Sequence, residues 1–365
     1  MSKQDLLNFN IEELQDFCIS NNLPKFRATQ IWRWMYCFGL HTFEGMNNIA
    51  RATKDFLNEK AFISRPEISE MQKSSDGTIK WLLKLSDGSE VETVYIPQED
   101  RGTVCLSSQV GCTLNCSFCH TGTQALVRNL TANEINGQLM LVMDYLKDWP
   151  SGKNTRKVTN VVMMGMGEPL LNYKEVSKAI KVMMSDDGIS LSRRKITLST
   201  SGIIPMIEAS GIDLGVNLAI SLHAVNDELR DQLVPINKKY NLEALINACR
   251  NYPPLSNSRR ITWEYVMIKD VNDRESDAKE LINLIKGIPS KINLIPFNPW
   301  PGSLFETSTQ KNIDIFAKIL MDAGFASPIR KPRGQDIYAA CGQLKSTSEK
   351  IRKSQINRLT PMHAI

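Results

Sequence analysis

A chain of 365 residues, 42% hydrophobic and 23% charged, has the composition of a globular protein with room for one broad α/β domain and an appendage, or for two to three average domains. No apolar run approaches the length of a membrane span, and MSKQDLLNFNIEELQDF lacks the apolar core of a secretory signal, so no membrane association and a cytoplasmic location are expected. The net charge of +5 excludes little by itself. Local clusters say more: SRRK at 192–195, SRR at 258–260, RKPR at 330–333, and Lys350, Arg352, Lys353 and Arg358 near the end. Such runs usually mark a solvated face; several of them on one active-site rim would point to a nucleic-acid partner.

Residues 1–62 form a small helical accessory domain. IEELQDFCISNNL, ATQIWRWMYCF and NNIARATKDFLNEKAF carry apolar residues at helical spacing, and the WRWMYCF face reads as the core of that unit. Residues 63–102 form a short β-meander extension, in which Asp76-Gly77 and Asp87-Gly88 are hairpin signals flanked by TIKWLLKL and SEVETVYIP.

From 103 to 345 short apolar strands alternate with amphipathic helices. The strands are TVCLSSQV, NVVMMG, KITLST, GVNLAISLH, ITWEYVMI and KINLIPF. Among the helices, TANEINGQLMLVMDYL opens on a capping box of Thr131 and Glu134. Six β–α units in series imply a parallel sheet with right-handed crossovers. The expected architecture is an α/β fold, an open partial (β/α)6 TIM-like barrel, with a doubly wound sheet as the alternative. Either fold places chemistry at the C-terminal ends of the strands. Residues 346–365 read as a basic tail.

Eight cysteines in a large chain without a secretory signal do not suggest structural disulfides. Cys105, Cys112, Cys116 and Cys119 fall within fifteen residues, which suits metal binding or thiol chemistry. Cys112, Cys116 and Cys119 are spaced C-x3-C-x2-C. Structural zinc needs four ligands, whereas three soft thiolates suit an iron–sulfur cube with one iron left open. His120 adjoins Cys119 and is expected beside that set rather than in it. Cys341 stands alone in DIYAACGQLK, while Cys18, Cys37 and Cys249 read as packing residues.

The other strand ends carry polar residues as well. MMGMGEPLLN contains Gly167 and Glu168, either a tight turn with a helix-capping acid or a close backbone approach to a ligand. LSTSG presents Ser199, SLHA presents Ser221, Leu222 and His223, and PFNPWPG presents Asn298. His223 has two readings, a satisfied core histidine or a group that faces the site.

With Phe118 before the third cysteine, CTLNCSFC resembles the C-x3-C-x-φ-C signature of radical S-adenosylmethionine enzymes. The strings SSQVGC, RNLTANEI, NVVMMGMGEPLLN, LSTSG, AISLHAVND, LVPINKKYN, EYVMIKDVND, KINLIPFNP and AACGQL extend the match over nearly the whole chain. Together they look like the RlmN-type adenine methyltransferases of rRNA and tRNA; His120 and TGTQALV are a local variation beside the cluster.

The resemblance implies one 4Fe–4S cluster on Cys112, Cys116 and Cys119, and S-adenosylmethionine, two per turnover. The cofactor would be held by Gly167, Glu168, Ser199, Ser221, Leu222, His223 and Asn298. It also implies a methyl carrier at Cys341 and a second thiol at Cys105. The latter would resolve the covalent intermediate through a Cys105–Cys341 disulfide. Glu92 would be the general base, a role that only the resemblance gives it; on sequence alone it reads as an exposed strand glutamate. The implied substrates are adenosine 2503 of 23S rRNA and adenosine 37 of some tRNAs, methylated at carbon 2. A flavodoxin-like external electron donor and a monomeric state complete the expectation. Two alternatives stay open: a Cfr-type enzyme acting at carbon 8, and a non-catalytic zinc-stabilised RNA-binding protein.

Overall fold

The two Asp-Gly pairs turn the chain as their sequence requires. Gly77 and Gly88 take φ of +86° and +82°, and the strands Glu67–Lys73 (β1), Ile79–Lys84 (β2) and Glu90–Gln98 (β3) run antiparallel. In this computed structural model, which describes residues 3–152, 156–253, 255–256, 259–346 and 348, the meander continues the main sheet edge to edge. Strand Arg101–Cys105 (β4) pairs antiparallel with β3 on one side and parallel with Asn160–Met163 (β5) on the other. Ile196–Thr200 (β6), Asn217–Ser221 (β7), Ile261–Met267 (β8) and Ser290–Pro296 (β9) follow in parallel.

The spatial order is the chain order from β1 to β9. A doubly wound sheet reverses its strand order part-way; this one never does, so the six parallel strands form a partial barrel. Beyond β9, the extended segment around Ala326–Arg330 lies along its outer edge through parallel bridges Lys291–Ala326 and Leu294–Ile329. That contribution was not read from the sequence, because Ser327-Pro328 interrupts any strand pattern.

The first barrel strand is shorter than TVCLSSQV suggested. It ends at Cys105 because the polar residues after it leave the ladder. Ser107 Oγ donates to the Glu92 carbonyl at 2.6 Å, and Ser107 N to Gln138 Oε1 at 2.9 Å. Gln109–Val110 instead pairs antiparallel with Arg128–Asn129.

Helices cover the outside of the sheet: Ala132–Leu146 (α4), Tyr173–Met184 (α5), Ile204–Asp213 (α6), Asp227–Leu233 (α7), Leu242–Arg250 (α8), Glu275–Leu284 (α9) and Gln310–Asp322 (α10). The N-terminal unit, Ile11–Ser20 (α1), Phe26–Tyr36 (α2) and Arg51–Lys60 (α3), buries Ile31, Trp32, Met35 and Tyr36. It docks on α4 and α5. Arg65 pairs with Asp144 at 2.8 Å and Lys178 with Glu13 at 3.0 Å, while Cys37 Sγ donates to the Gly188 carbonyl at 3.2 Å. Cys18 and Cys249 are fully buried. No helix among the described residues is long and apolar enough to cross a membrane. The tail residues Lys350, Arg352, Lys353 and Arg358 lie outside the described residues.

Candidate active site

Sheet register assembles the polar residues on one surface. Successive strand residues face opposite sides, and residues paired across strands face the same side. Cys105 pairs with Val94 and Val162, Ser199 with Ala219, Ser221 with Glu264, and Glu264 with Asn293. By that parity Cys105, Ser199, Ser221, Glu264 and Asn293 share the inner face of the barrel. Glu92 lies two residues before Val94, and Lys80 pairs with Val94, so both join the same face. The exposed-strand reading of Glu92 is corrected here: the residue is 4% exposed. Its Oε1 meets Lys80 Nζ at 2.9 Å, and its Oε2 accepts from Lys345 N at 2.6 Å. Burial raises its pKa, opposed by Lys80 and the Lys345 N–H.

The cysteine loop is wound tightly over the mouth. Asn115 takes φ of +56°, a left-handed turn that asparagine tolerates. A Cβ on Gly122 would meet the Cys116 carbonyl oxygen at 2.5 Å, so only glycine lets the chain fold back on that cysteine. Burial raises the Cys116 thiol well above its ordinary range, Cys112, Cys119 and Glu168 raise it further, and Arg230 opposes them. Among the described residues no three His, Cys, Asp or Glu side chains close around a single ion. Three soft thiolates on one short loop, with Arg230 opposing the negative charge at Cys116, suit a 4Fe–4S cluster.

Gly167 and Glu168 sit at the end of β5. A Cβ on Gly167 would lie 2.5 Å from Gln109 Cβ, and one on Gly165 would lie 2.7 Å from the Leu106 carbonyl. These glycines thus make room for the chain between Cys105 and Cys112. The Glu168 carboxylate accepts from Leu170 N at 3.0 Å and Ser201 N at 2.8 Å. Burial pushes its pKa up to about 7 against those bonds. It ties the ends of β5 and β6 together beside the cysteine loop.

Leu222 is fully buried, while the His223 ring packs edge-on against Phe118, 4.5 Å between centroids. Nδ1 of His223 accepts from Val266 N at 3.1 Å. Burial, with Arg230 nearby, pushes its pKa down to about 3. His223 is therefore a neutral imidazole whose Nδ1 is occupied, and both sequence readings hold in part: it is core-satisfied and borders the cysteine loop.

The C-terminal loop returns across this mouth. His120 N donates to the Gly342 carbonyl at 2.7 Å, Thr121 Oγ1 to the Leu344 carbonyl at 2.6 Å, and Asn298 Nδ2 to the Cys341 carbonyl at 3.1 Å. His120 also stacks on Trp300, 4.7 Å between centroids and 7° from parallel. Cys341 keeps accessible surface because it lines the open mouth, yet the protein around its sulfur pushes the thiol up to about 12. Glu264 and Cys119 add to that rise and Arg330 opposes it. Cys105 is likewise pushed up to about 12, by burial first and then by Cys341. Two cysteines 236 positions apart thus lie within electrostatic reach, both as free thiols.

The chain matches the family model described as ribosomal RNA large subunit methyltransferase N-terminal domain over residues 4–63, and the radical SAM superfamily model over 106–284. It is 56% identical to the dual-specificity RNA methyltransferase RlmN of Sinorhizobium fredii, covering 96% of this chain and 90% of that protein. The chain belongs to the RlmN family.

Its RlmN relative in Gluconobacter oxydans is also 56% identical, over 96% of this chain and 88% of that protein. A solved radical SAM methyltransferase from Sphaerobacter thermophilus superposes with a TM-score of 0.87 at 38% identity, covering 95% of this chain and all of that one. As a radical SAM RNA methyltransferase of this family, the protein takes a 4Fe–4S cluster and S-adenosylmethionine. Sequence reading missed four residues around the RlmN-type site. Lys80 is hidden by its apolar neighbours in TIKWLL. Glu264 is an acid in the middle of an apolar strand, a signal that could have been used. Arg330 lay in a cluster read as surface, and Arg230 in DELRDQL looks like any solvated helix residue.

Proposed function

We propose that the protein methylates carbon 2 of adenosine, at position 2503 of 23S rRNA and position 37 of tRNAs, with Cys341, Cys105 and Glu92 as the catalytic residues. The observation that carries this reading is the return of the Cys341 loop onto the cysteine loop, with Cys105 within electrostatic reach of Cys341 and the buried Glu92 bonded to the same loop at Lys345 N. Carbon 2 of adenine is electron-poor and does not attack a methyl sulfonium directly. The cluster and S-adenosylmethionine, two molecules per turnover, would supply the methyl group, the radical chemistry that joins its carbon to the ring, and the acceptor for the one electron the ring gives up as it regains aromaticity.

The chain's residues do the rest. Cys341 Sγ carries the methyl carbon as a thioether; its alkylation requires the thiolate, which Arg330 favours and Glu264 opposes. Glu92 takes the proton from carbon 2 once the ring carries the new bond. Cys105 Sγ, as thiolate, then attacks Cys341 Sγ. A disulfide forms, the sulfur–carbon bond breaks, and its electron pair passes to the departing carbon, which gains a proton to complete the methyl group. An external two-electron dithiol reductant restores both thiols, and a flavodoxin-like donor supplies electrons to the cluster. Gly167, Glu168, Ser199, Ser221, Leu222, His223 and Asn298 hold S-adenosylmethionine. The helical unit of residues 1–62 contacts RNA, the 63–102 meander contributes Glu92, residues 103–345 form the catalytic barrel, and 346–365 are a basic tail. The protein works as a cytoplasmic monomer.

The deciding experiment digests methylated 23S rRNA and tRNA and compares the nucleosides by mass spectrometry with authentic 2- and 8-methyladenosine. The expected product is 2-methyladenosine. Exclusive 8-methyladenosine would move the protein to the Cfr-type reaction. Anaerobic protein without about four irons per chain would remove both.

A further inference from the structure

The basic segments SRRK and SRR come together in space, but not on the rim that carries the cysteines. Arg193 lies in the turn before β6, Gly215 in the turn before β7, and Arg259 just before β8. In parallel strands these positions form the base of the barrel, opposite the end that carries Cys105, Glu168 and His223. A cavity of about 530 Å³ opens there, lined among others by Arg193, Ile212, Asp213, Gly215 and Arg259.

Gly215 is the focus of that cavity. It takes φ of +58°, and a Cβ on it would lie 3.6 Å from Arg193 Nη1 and 3.8 Å from Arg259 Nη1. Two guanidinium groups therefore approach one point, across a span that a single phosphate bridges. Arg259 Nη1 donates to the Gly215 carbonyl at 2.9 Å, and among the described residues its side chain makes no other hydrogen bond. The acid in the wall is engaged elsewhere: Asp213 pairs with Lys181 at 2.6 Å and accepts from the Tyr173 hydroxyl at 3.0 Å. Among the described residues neither arginine has a carboxylate partner. Two like charges brought together without a counter-ion repel each other, and an anion between them relieves that repulsion.

We propose that this basal cavity is a phosphate-binding site, and that the phosphate it takes is a phosphodiester of the RNA substrate remote from the reacting adenosine. A free nucleotide offers the same chemistry. The surroundings favour a polymer, because Arg194 and Lys195, which follow Arg193 in the chain, are exposed and continue the positive charge past one phosphate. Ile212, 72% exposed, adds an apolar contact for a ribose or base face. The proposal rests on RNA being the substrate; it adds a second grip at the far end of the barrel.

The test uses full-length, cluster-loaded protein with Arg193→Glu, Arg193→Ala and Arg193→Lys, since Arg193 makes no hydrogen bond among the described residues that its loss would break. Binding of a full tRNA and of ATP is measured against salt concentration. Arg193→Glu is expected to weaken tRNA binding by roughly tenfold at 0.1 M salt, and Arg193→Ala to lower the salt slope by about 0.9 for the phosphate lost. Arg193→Lys keeps most of the affinity. RNA-independent cleavage of S-adenosylmethionine stays at the wild-type rate in all three, which separates failure of this site from failure of the catalytic reading. Unchanged tRNA affinity in Arg193→Glu overturns the proposal. So does ATP binding that the variant loses while tRNA binding is untouched, which would make the cavity a free-nucleotide site.

Discussion

Lys80 Nζ stands 2.9 Å from Glu92 Oε1, with the two side chains only 11% and 5% exposed. A buried carboxylate without a counter-charge holds its proton more tightly, and Lys80 is the cation that opposes this. Glu70 pushes the other way, and the Lys345 backbone N–H lowers the pKa alongside Lys80. Lys80→Met is therefore expected to move the acid limb of the pH–rate profile for RNA methylation to higher pH, with Lys80→Arg moving it less. Glu92→Gln, unable to accept a proton, should lower turnover by about a hundredfold or more. The same pair governs stability. Because burial raises the folded pKa of Glu92, its contribution declines as pH rises from the unfolded value through the folded one. Lys80→Met should steepen that decline in urea melts between pH 4 and pH 8. An unshifted acid limb in Lys80→Met, alongside an inactive Glu92→Gln, would leave Glu92 as the base and remove Lys80 from its control.

Cys105 and Cys341 make a prediction in which the two single variants differ in kind. Cys105→Ala retains the carrier thiol and lacks the resolving one, so a covalent protein–RNA species should accumulate and be visible as a slow band on denaturing gels. Cys341→Ala should form none. Both variants should keep the cluster absorbance, since neither sulfur belongs to the C-x3-C-x2-C set. Full turnover in either variant would rule out the two-thiol scheme.

The six barrel strands were legible because each is a short apolar run bounded by glycine, proline or asparagine signals, and their sequential order follows from the β–α alternation. The inner face was legible in part: ITWE and KIN alternate apolar with polar, and Thr262, Glu264, Lys291 and Asn293 are the residues that turn inward. The end of β4 was not, since serines inside TVCLSSQV look compatible with a strand until their partners Glu92 and Gln138 are known. The neighbours of Gly165 and Gly167 were hidden for a related reason. A glycine signals close approach but not what approaches, and here it is the backbone between Cys105 and Cys112. Long-range pairing also explains Glu92 and Cys341. Burial of the first depends on a loop more than 250 positions later, which no local pattern records.

His223 carries a pH dependence that can be read without turnover. Its folded pKa of about 3 lies below the ordinary 6.5, so the unfolded chain binds the proton first. The stability contributed by the neutral ring is complete above pH 6.5 and is lost as pH falls toward 3. Between pH 6.5 and pH 4 this amounts to about 3 kcal/mol. His223→Asn cannot titrate, and asparagine tolerates the left-handed φ of +60° found here. Its stability curve over that window should be flatter than wild type by a similar amount, whatever its overall offset. Parallel curves would show that the histidine is protonated, or solvated, in the folded state.

Arg230 is wholly buried and holds the strand ends together under the cysteine loop. Its Nε donates to the Leu222 carbonyl at 3.1 Å, Nη2 to the carbonyls of Ser201 at 2.7 Å and Ser221 at 3.1 Å, and Nη1 to Asn237 Oδ1 at 2.8 Å. Asn237 in turn donates to Asp227 and Asp231. Burial brings the Arg230 pKa down to about 10, while Cys116 heads the neighbours that raise it. One planar fork thus spans the ends of β6 and β7 and places a positive charge beside Cys116. Arg230→Met leaves three carbonyls and an amide oxygen without this donor and should cost about 3–5 kcal/mol in apo-protein melts. Arg230→Lys keeps the charge, but an ammonium on a flexible stem cannot span both strand ends. It should recover cluster loading, measured as iron and sulfide per chain, better than it recovers stability. Equal recovery of both would mean that charge alone, and not the fork, is what the site takes from Arg230.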